Sequence, residues 1–334
     1  MSHYQKNAIF TGILTLNLLL VAACSSTTST PDYPVVNDMP QNKQESRRND
    51  SSATSETLKA IEAISESQLD VPYKTIGNKD LAIDIYLPKT DTNANTAKGH
   101  PLAIWVHGGA WKRGDKADFP AKNPNLAKAL LEEGYALASI NYRLSSEAQF
   151  PAPLEDSKDA VKFLLDNAKS YGVDPERMVI MGRSAGGHLA TLTATELTAS
   201  KQKTSQPMPK AIISFFGLYD LLALEEQKST RTPASSQTPE GLLLGKTPSA
   251  VPELAKMASP VTFVTPNTPP TLLMHGNMDK QAPVQQSLDF AVALEKNNVP
   301  HKTIIEDNAR HGDPIFDSKA YVDQVLAFLK IHNP

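Results

Sequence analysis

The chain has 334 residues with nearly balanced charge, 33 Lys plus Arg against 36 Asp plus Glu, for a formal net charge of −3. No basic field exists to hold a phosphate backbone, which argues against nucleic-acid binding. The single cysteine, Cys24, excludes an intramolecular disulfide framework and any thiolate-rich metal site, while 40% hydrophobic residues suffice for a sizeable core.

At the N-terminus, Lys6 precedes a mostly apolar run over 8–23 that is broken by Asn17 and ends in small residues. It is short for a bilayer span and has the make-up of a secretory signal peptide. The end of that run, Val21-Ala22-Ala23-Cys24, resembles the lipobox of bacterial lipoproteins. This resemblance implies cleavage after residue 23, lipidation of Cys24 and export to a bacterial membrane. Ser25 then suggests sorting to an outer membrane. Two or more acyl chains would make attachment stable. Residues 24–65 are rich in Ser, Thr, Asn and Pro, so they bury too little apolar surface to offset ordering entropy and read as a disordered tether. Its typical reach is ~35 Å.

From about residue 66 the pattern becomes that of a catalytic-size domain. Leu81, Ile83, Ile85 and Leu87 alternate with Ala82, Asp84 and Tyr86, the period of a half-buried strand. Gly77-Asn78 suits a hairpin turn back to a strand over 71–76. Short apolar runs follow at 102–106, 135–140, 178–181, 211–216, 271–274 and 303–305. Between them lie helical patterns at 124–132, 153–169, 185–198, 285–296 and 317–331. Such alternation predicts an α/β fold, a mostly parallel central sheet with helices on both faces. The stretch 218–270 breaks the rhythm and reads as a small irregular cap insertion, in a Pro-rich part of the chain.

The residues that carry chemistry sit at predicted strand ends. Gly182-Arg183-Ser184-Ala185-Gly186 has the G-x-S-x-G pattern between a strand and a helix, where a sharp turn exposes a serine nucleophile. His107-Gly108-Gly109-Ala110-Trp111 follows the strand over 102–106. Its glycines let backbone N–H groups at Gly108 and Gly109, with that of Ala185, face a developing oxyanion. His107 itself fits a brace of this loop better than a proton carrier, and Trp111 suits a pocket wall and simple packing equally. The partners of the serine should follow in the order acid, then histidine. Asp279 lies in the loop after the strand over 271–274, and His311 in the loop after that over 303–305. Competing acids are Asp220, Asp307 and Asp313.

Residues from about 70 to 331 resemble an α/β-hydrolase, and 102–190 resemble the hormone-sensitive-lipase-like carboxylesterases. The resemblance rests on His107–Trp111 together with Asn141-Tyr142-Arg143-Leu144, Phe150-Pro151-Ala152-Pro153-Leu154-Glu155-Asp156 and Gly182–Gly187. Ala110 replaces a third glycine and Arg183 an acid, while Asp279 lies in an H-G-x-x-D-x-x-x-P setting. Those features look more like the branch of feruloyl and acetyl-xylan esterases and kynurenine formamidase-like enzymes. The resemblance implies the fold and acyl hydrolysis. With the residues read above, the expectation is a serine esterase using Ser184, His311 and Asp279 on a small-molecule ester, short-chain or carbohydrate-linked, with no cofactor and no metal. An amidase or formamidase activity on the same residues, and a non-catalytic binding protein, are the alternatives.

Overall fold

The computed structural model describes residues 51–89, 99–199, 206–228 and 233–334, with side chains from residue 55. The expected signal peptide, Cys24 and the first part of the expected tether lie outside the described residues. The end of that tether is corrected: helix α1 (Ser51–Ile64) already belongs to the folded unit and runs directly into strand β1 (Ser65–Ile76). Leu58, Ile61 and Ile64 recur every three residues and turn one apolar stripe onto the core, where Ile61 is only 2% exposed. The Ser- and Thr-rich first turn hides this stripe in the sequence, because tertiary packing and not propensity stabilises the helix.

Strands β1 and β2 (Lys79–Pro88) form the expected hairpin. They are followed by β3 (His100–Val106), β4 (Ala136–Ile140), β5 (Val173–Arg183), β6 (Ala211–Phe215), β7 (Thr271–Gly276) and β8 (His301–Glu306). All eight form one sheet in the order β1-β2-β4-β3-β5-β6-β7-β8. Pairing is antiparallel from β1 to β4 and parallel from β4 onward. Register aligns Val106 of β3 with Gly182 of β5, and Arg183 with Phe215 of β6, so the loops leaving these strands emerge at one edge. Chain order reverses at β3, which has β4 on one side and β5 on the other, and crevices form at such switch points.

Strand residues alternate between two buried faces. Ile104, Ile180 and Ile212 point to the face covered by α4 (Ala152–Asp166) and α5 (Ala185–Ala199). Trp105, Met181 and Ile213 point to the opposite face, packed by α1, α3 (Pro124–Glu132) and α10 (Lys319–His332). The short α2 (Asp118–Ala121) precedes α3. Burying each large aliphatic side chain contributes roughly 1.5–3 kcal/mol. A smaller cluster lies under α9 (Gln285–Lys296), where Phe290 and Leu294 meet Tyr219.

The expectation of an irregular insertion is also corrected. Residues 218–270 contain α6 (Leu221–Lys228), α7 (Pro239–Leu244) and α8 (Pro252–Met257), with 3₁₀ turns at Pro248–Ala250 and Pro260–Phe263. Prolines that look like helix breakers instead start these short helices. Pro239, Pro248, Pro252 and Pro260 each stand at a first position, where the missing N–H would have lacked a partner anyway. Leu221, Leu243, Leu244, Ala255 and Ala258 join the core on the α5 face, so much of the insertion is core and not a loose lid.

Candidate active site

Arg183 ends β5 and Ala185 begins α5, which leaves Ser184 alone at the turn with φ +55°. A non-glycine residue there is strained, and the surroundings must enforce it. They do so on both sides: the Ser184 N–H donates to Phe215 O at 2.9 Å, and the Ser184 carbonyl accepts from the His188 N–H at 2.9 Å. Helix and strand also cross very closely. A Cβ on Gly186 would lie 2.0 Å from Val106 O, so this position admits no side chain.

The structure brings the three residues expected from the sequence into one hydrogen-bonded chain. His311 Nε2 lies 2.8 Å from Ser184 Oγ, and His311 Nδ1 lies 2.6 Å from Asp279 Oδ2. The Asp279 side chain is fully buried and that of His311 is 15% exposed. Asp279 Oδ1 accepts the N–H groups of Gln281 and Ala282 at 2.8 and 2.9 Å. Burial would raise the Asp279 carboxyl, but hydrogen bonds from His275 and His311, the His311 charge and the Ala282 N–H together hold it well below the usual carboxylate range. With Nδ1–H fixed on a carboxylate, Nε2 of a neutral His311 is free to accept the serine proton. The competing acids are engaged elsewhere. Asp220 accepts two N–H groups at the start of α6, Asp307 accepts from Asn277, and Asp313 accepts from the Ile315 N–H.

The loop after β3 reaches the serine. A Cβ on Gly108 would lie 3.4 Å from Ser184 Cβ and 2.8 Å from Arg183 O, so the backbone of this loop packs directly on the turn. Gly109 turns with φ +122°, and its carbonyl accepts from the N–H groups of Lys112 and Arg113. Ala185, as the first helical residue, has no i−4 carbonyl to donate to. Gly108 therefore packs on the Ser184 turn and Ala185 follows the serine at the start of α5, while the close neighbours of Gly109 are atoms of Arg113. His107 sits apart from the chain of three: Nδ1 is 2.8 Å from Gly108 O, its ring stacks on Tyr142 at 4.3 Å, and burial lowers its pKa.

Two further histidines matter here. His275 Nε2 lies 2.8 Å from Ala282 O and 3.3 Å from Asp279 Oδ2, while Nδ1 lies 2.7 Å from Ser287 Oγ. It pins the loop that carries the acid, and its position immediately before that loop is the only signal the sequence gives of this. His188 is fully buried one turn behind Ser184. Its Nδ1 accepts the Trp111 indole N–H at 3.1 Å, and Nε2–H donates to Ala258 O at 2.6 Å. Trp111 is thus no pocket wall. It is buried at φ +57°, tied to His188 and, through its carbonyl, to the Ser145 N–H. Sequence reading had no means to pair residues 111, 188 and 258. The Arg143 and Asp156 of the resemblance motifs form a two-pronged pair at 2.7 and 2.8 Å that also takes Lys74, and it secures the loop after β4.

Comparison with known proteins agrees with this architecture. The BD-FAE family matches residues 83–294. Esterase LipQ of Mycobacterium tuberculosis is 31% identical over 262 residues, covering 76% of this chain and 58% of that protein. A probable isoprenylcysteine alpha-carbonyl methylesterase of Arabidopsis thaliana, ICMEL1, is 29% identical, covering 69% of this chain and 48% of that protein. The chain thus spans about half the length of these curated relatives. Among solved structures, a truncated form of a carbohydrate esterase from gut microbiota superposes with a TM-score of 0.69 at 28% identity, covering 81% of this chain and 97% of that one. With the family matched over well more than half of its length and the eight-stranded sheet in place, this chain is a member of the BD-FAE family with the α/β-hydrolase fold.

Proposed function

We propose that the protein is a serine carboxylesterase that cleaves short-chain or carbohydrate-linked carboxylic esters through Ser184, His311 and Asp279. The observation that carries this reading is His311 held between Ser184 Oγ at 2.8 Å and the buried Asp279 at 2.6 Å. His311 Nε2 takes the proton as Ser184 Oγ attacks the ester carbonyl, and Asp279 stabilises the resulting imidazolium. The tetrahedral oxyanion is met by backbone N–H groups of Gly108, Gly109 and Ala185. Each such donor stabilises the transition state by about 3–4 kcal/mol. His311 then protonates the leaving alcohol, and water attacks the acyl-serine by the same proton route. Carbohydrate-linked esters are supported by the carbohydrate esterase among the structural neighbours.

Replacing Ser184 with Ala should lower kcat on a short-chain aryl ester by at least about 10⁴-fold. Circular dichroism should be unchanged. Near-wild-type turnover in this variant would remove the assignment.

The same proposal places the enzyme outside the cytoplasm, anchored through a lipid on Cys24. Support comes from the sole cysteine falling directly behind Val21-Ala22-Ala23. Labelled palmitate should enter the wild type expressed in a two-membrane bacterium and be absent from Cys24→Ala. Equal labelling of both would refute the anchor.

A further inference from the structure

Arg183 is the residue that chain order places directly before the nucleophile, and the mechanism does not use it. Its side chain leaves β5 on the α3 and α10 face and borders a cavity of about 480 Å³. On one wall are Lys122 and Asn125, and on the other Gly312, Asp313 and Ser318. This guanidinium has five N–H donors, yet its hydrogen bonding among the described residues is a single long contact from Nη1 to Asn123 Oδ1 at 3.4 Å. Among the same residues no carboxylate comes within 4 Å of it, although Asp118 and Asp317 act on it from farther away. A guanidinium so poorly matched, in a cleft bordering the loop that carries His311, marks a place where a ligand supplies the missing partners.

The cavity lies on the side of His311. Phe216 lines it, takes the Arg183 guanidinium over its ring at 5.4 Å, and meets the His311 ring edge-on at 4.9 Å. Arg183 Nη2 lies 2.9 Å from where a Cβ on Gly312 would stand, next to the base. His311 must hand its proton to the leaving oxygen, so whatever that oxygen is attached to extends along this side. An anionic alcohol is disfavoured, because Asp313 and Asp317 share the lining with Arg183. A neutral polyhydroxylated ring suits it, since each hydroxyl can accept from Arg183 or Asn125 and donate to Asp313.

We infer that the cleft bounded by Arg183, Asn125 and the Gly312–Ser318 segment is the subsite for the leaving alcohol, and that Arg183 selects a sugar hydroxyl ring there. This inference rests on the esterase reading of Ser184. Arg183 acts by binding and not by proton transfer. A site built to hydrogen-bond a substrate discriminates strongly against analogues that lack the group, since its own polar atoms are then left unpaired.

The test compares two acetates with the same acyl group, a mono-O-acetylated methyl xyloside and phenyl acetate. Their kcat/KM values are measured on wild type, Arg183→Ala, Arg183→Lys and Asp313→Asn. In Arg183→Ala the ratio of sugar ester to phenyl ester should fall at least about tenfold, with Lys restoring part of it. Asp313→Asn, which keeps an oxygen for the Ile315 N–H, should lower the ratio about threefold and keep the test alive if the Arg183 variants fold poorly. An unchanged ratio, even with both rates reduced, would overturn the subsite and leave Arg183 as support for the His311 loop. Wild type that cleaves phenyl acetate but not the xyloside would also overturn it while sparing the esterase reading. Turnover of neither ester would overturn both.

Discussion

Two histidines four residues and one loop away from Ser184 are each held at both ring nitrogens, and they do opposite things. His311 links a hydroxyl to a buried carboxylate with its side chain 15% exposed. His188 links an indole N–H to a backbone carbonyl and is fully buried. The difference lies in the partners. In the proposed mechanism a carboxylate on Nδ1 prepares His311 to become a cation at the moment of proton transfer. His188 faces one donor and one acceptor in an apolar setting, so the only form that satisfies both contacts is the neutral one. Burial pulls its pKa down to about 4 against the pull of the Ala258 carbonyl. In the proposed reaction one region changes charge, and the other is built to prevent it. The second holds Trp111, and with it the left-handed turn of the Gly108–Trp111 loop, against α5 and the insertion.

The sharpest way to break this contrast is to neutralise the partner of His311. Asp279→Asn should leave the fold intact and cut kcat about 10⁴-fold, since the histidine is then held in the wrong tautomer. A loss below about tenfold would mean that His311 does not depend on Asp279 for its charge.

The matching cut in the buried chain is His188→Leu, which removes both hydrogen bonds while keeping an apolar side chain. Its kcat should fall about 10- to 100-fold with little change in KM, because the oxyanion donors shift and the substrate contacts remain. A rise in KM at constant kcat would place His188 in substrate binding instead. The Gln variant, which keeps one acceptor and one donor, should recover most of the loss.

A third effect is on stability. The folded His188 has a pKa of about 4 and the unfolded one about 6.5, so the unfolded chain binds the extra proton first. Stability contributed by the neutral ring is fully present above about pH 6.5 and declines as pH falls toward about 4, by up to about 3 kcal/mol. Denaturant titrations of wild type and His188→Gln over this range should show a flatter acid limb in the variant. Identical limbs would show that His188 is not the group being titrated.

A stability effect of similar size, with none on turnover, concerns the newly placed α1. Ile61→Ala should cost about 2–4 kcal/mol of unfolding free energy and leave kcat unchanged, because the helix packs on the face away from α5. No change in stability would return residues 51–64 to the tether.

How much of this was legible in the sequence follows from what is local. Glycine spacing around Ser184, the glycines after β3, and the order serine, acid, histidine are all short-range patterns, and they marked the residues that the sheet gathers at its carboxyl edge. Strand and helix periods were readable for the same reason. Three things were not. The stripe of α1 lay behind a Ser- and Thr-rich turn, and its meaning needs α3 to pack against. Prolines in 218–270 have two opposite readings, breaker or first helical residue, and only the surrounding chain chooses. The Trp111–His188–Ala258 chain joins residues 77 and 70 positions apart, which no motif encodes.

By itself the sequence determined the fold class and singled out Ser184 and His311, with Asp279 as one of several candidate acids. Tertiary structure decided which acid faces the histidine, which histidines merely brace, and that Arg183 looks into a cleft beside the reaction centre. The reason is physical: backbone strain and periodicity are written over a few neighbouring residues. Burial, and the partner each polar atom finds, are settled only when distant strands close into one sheet.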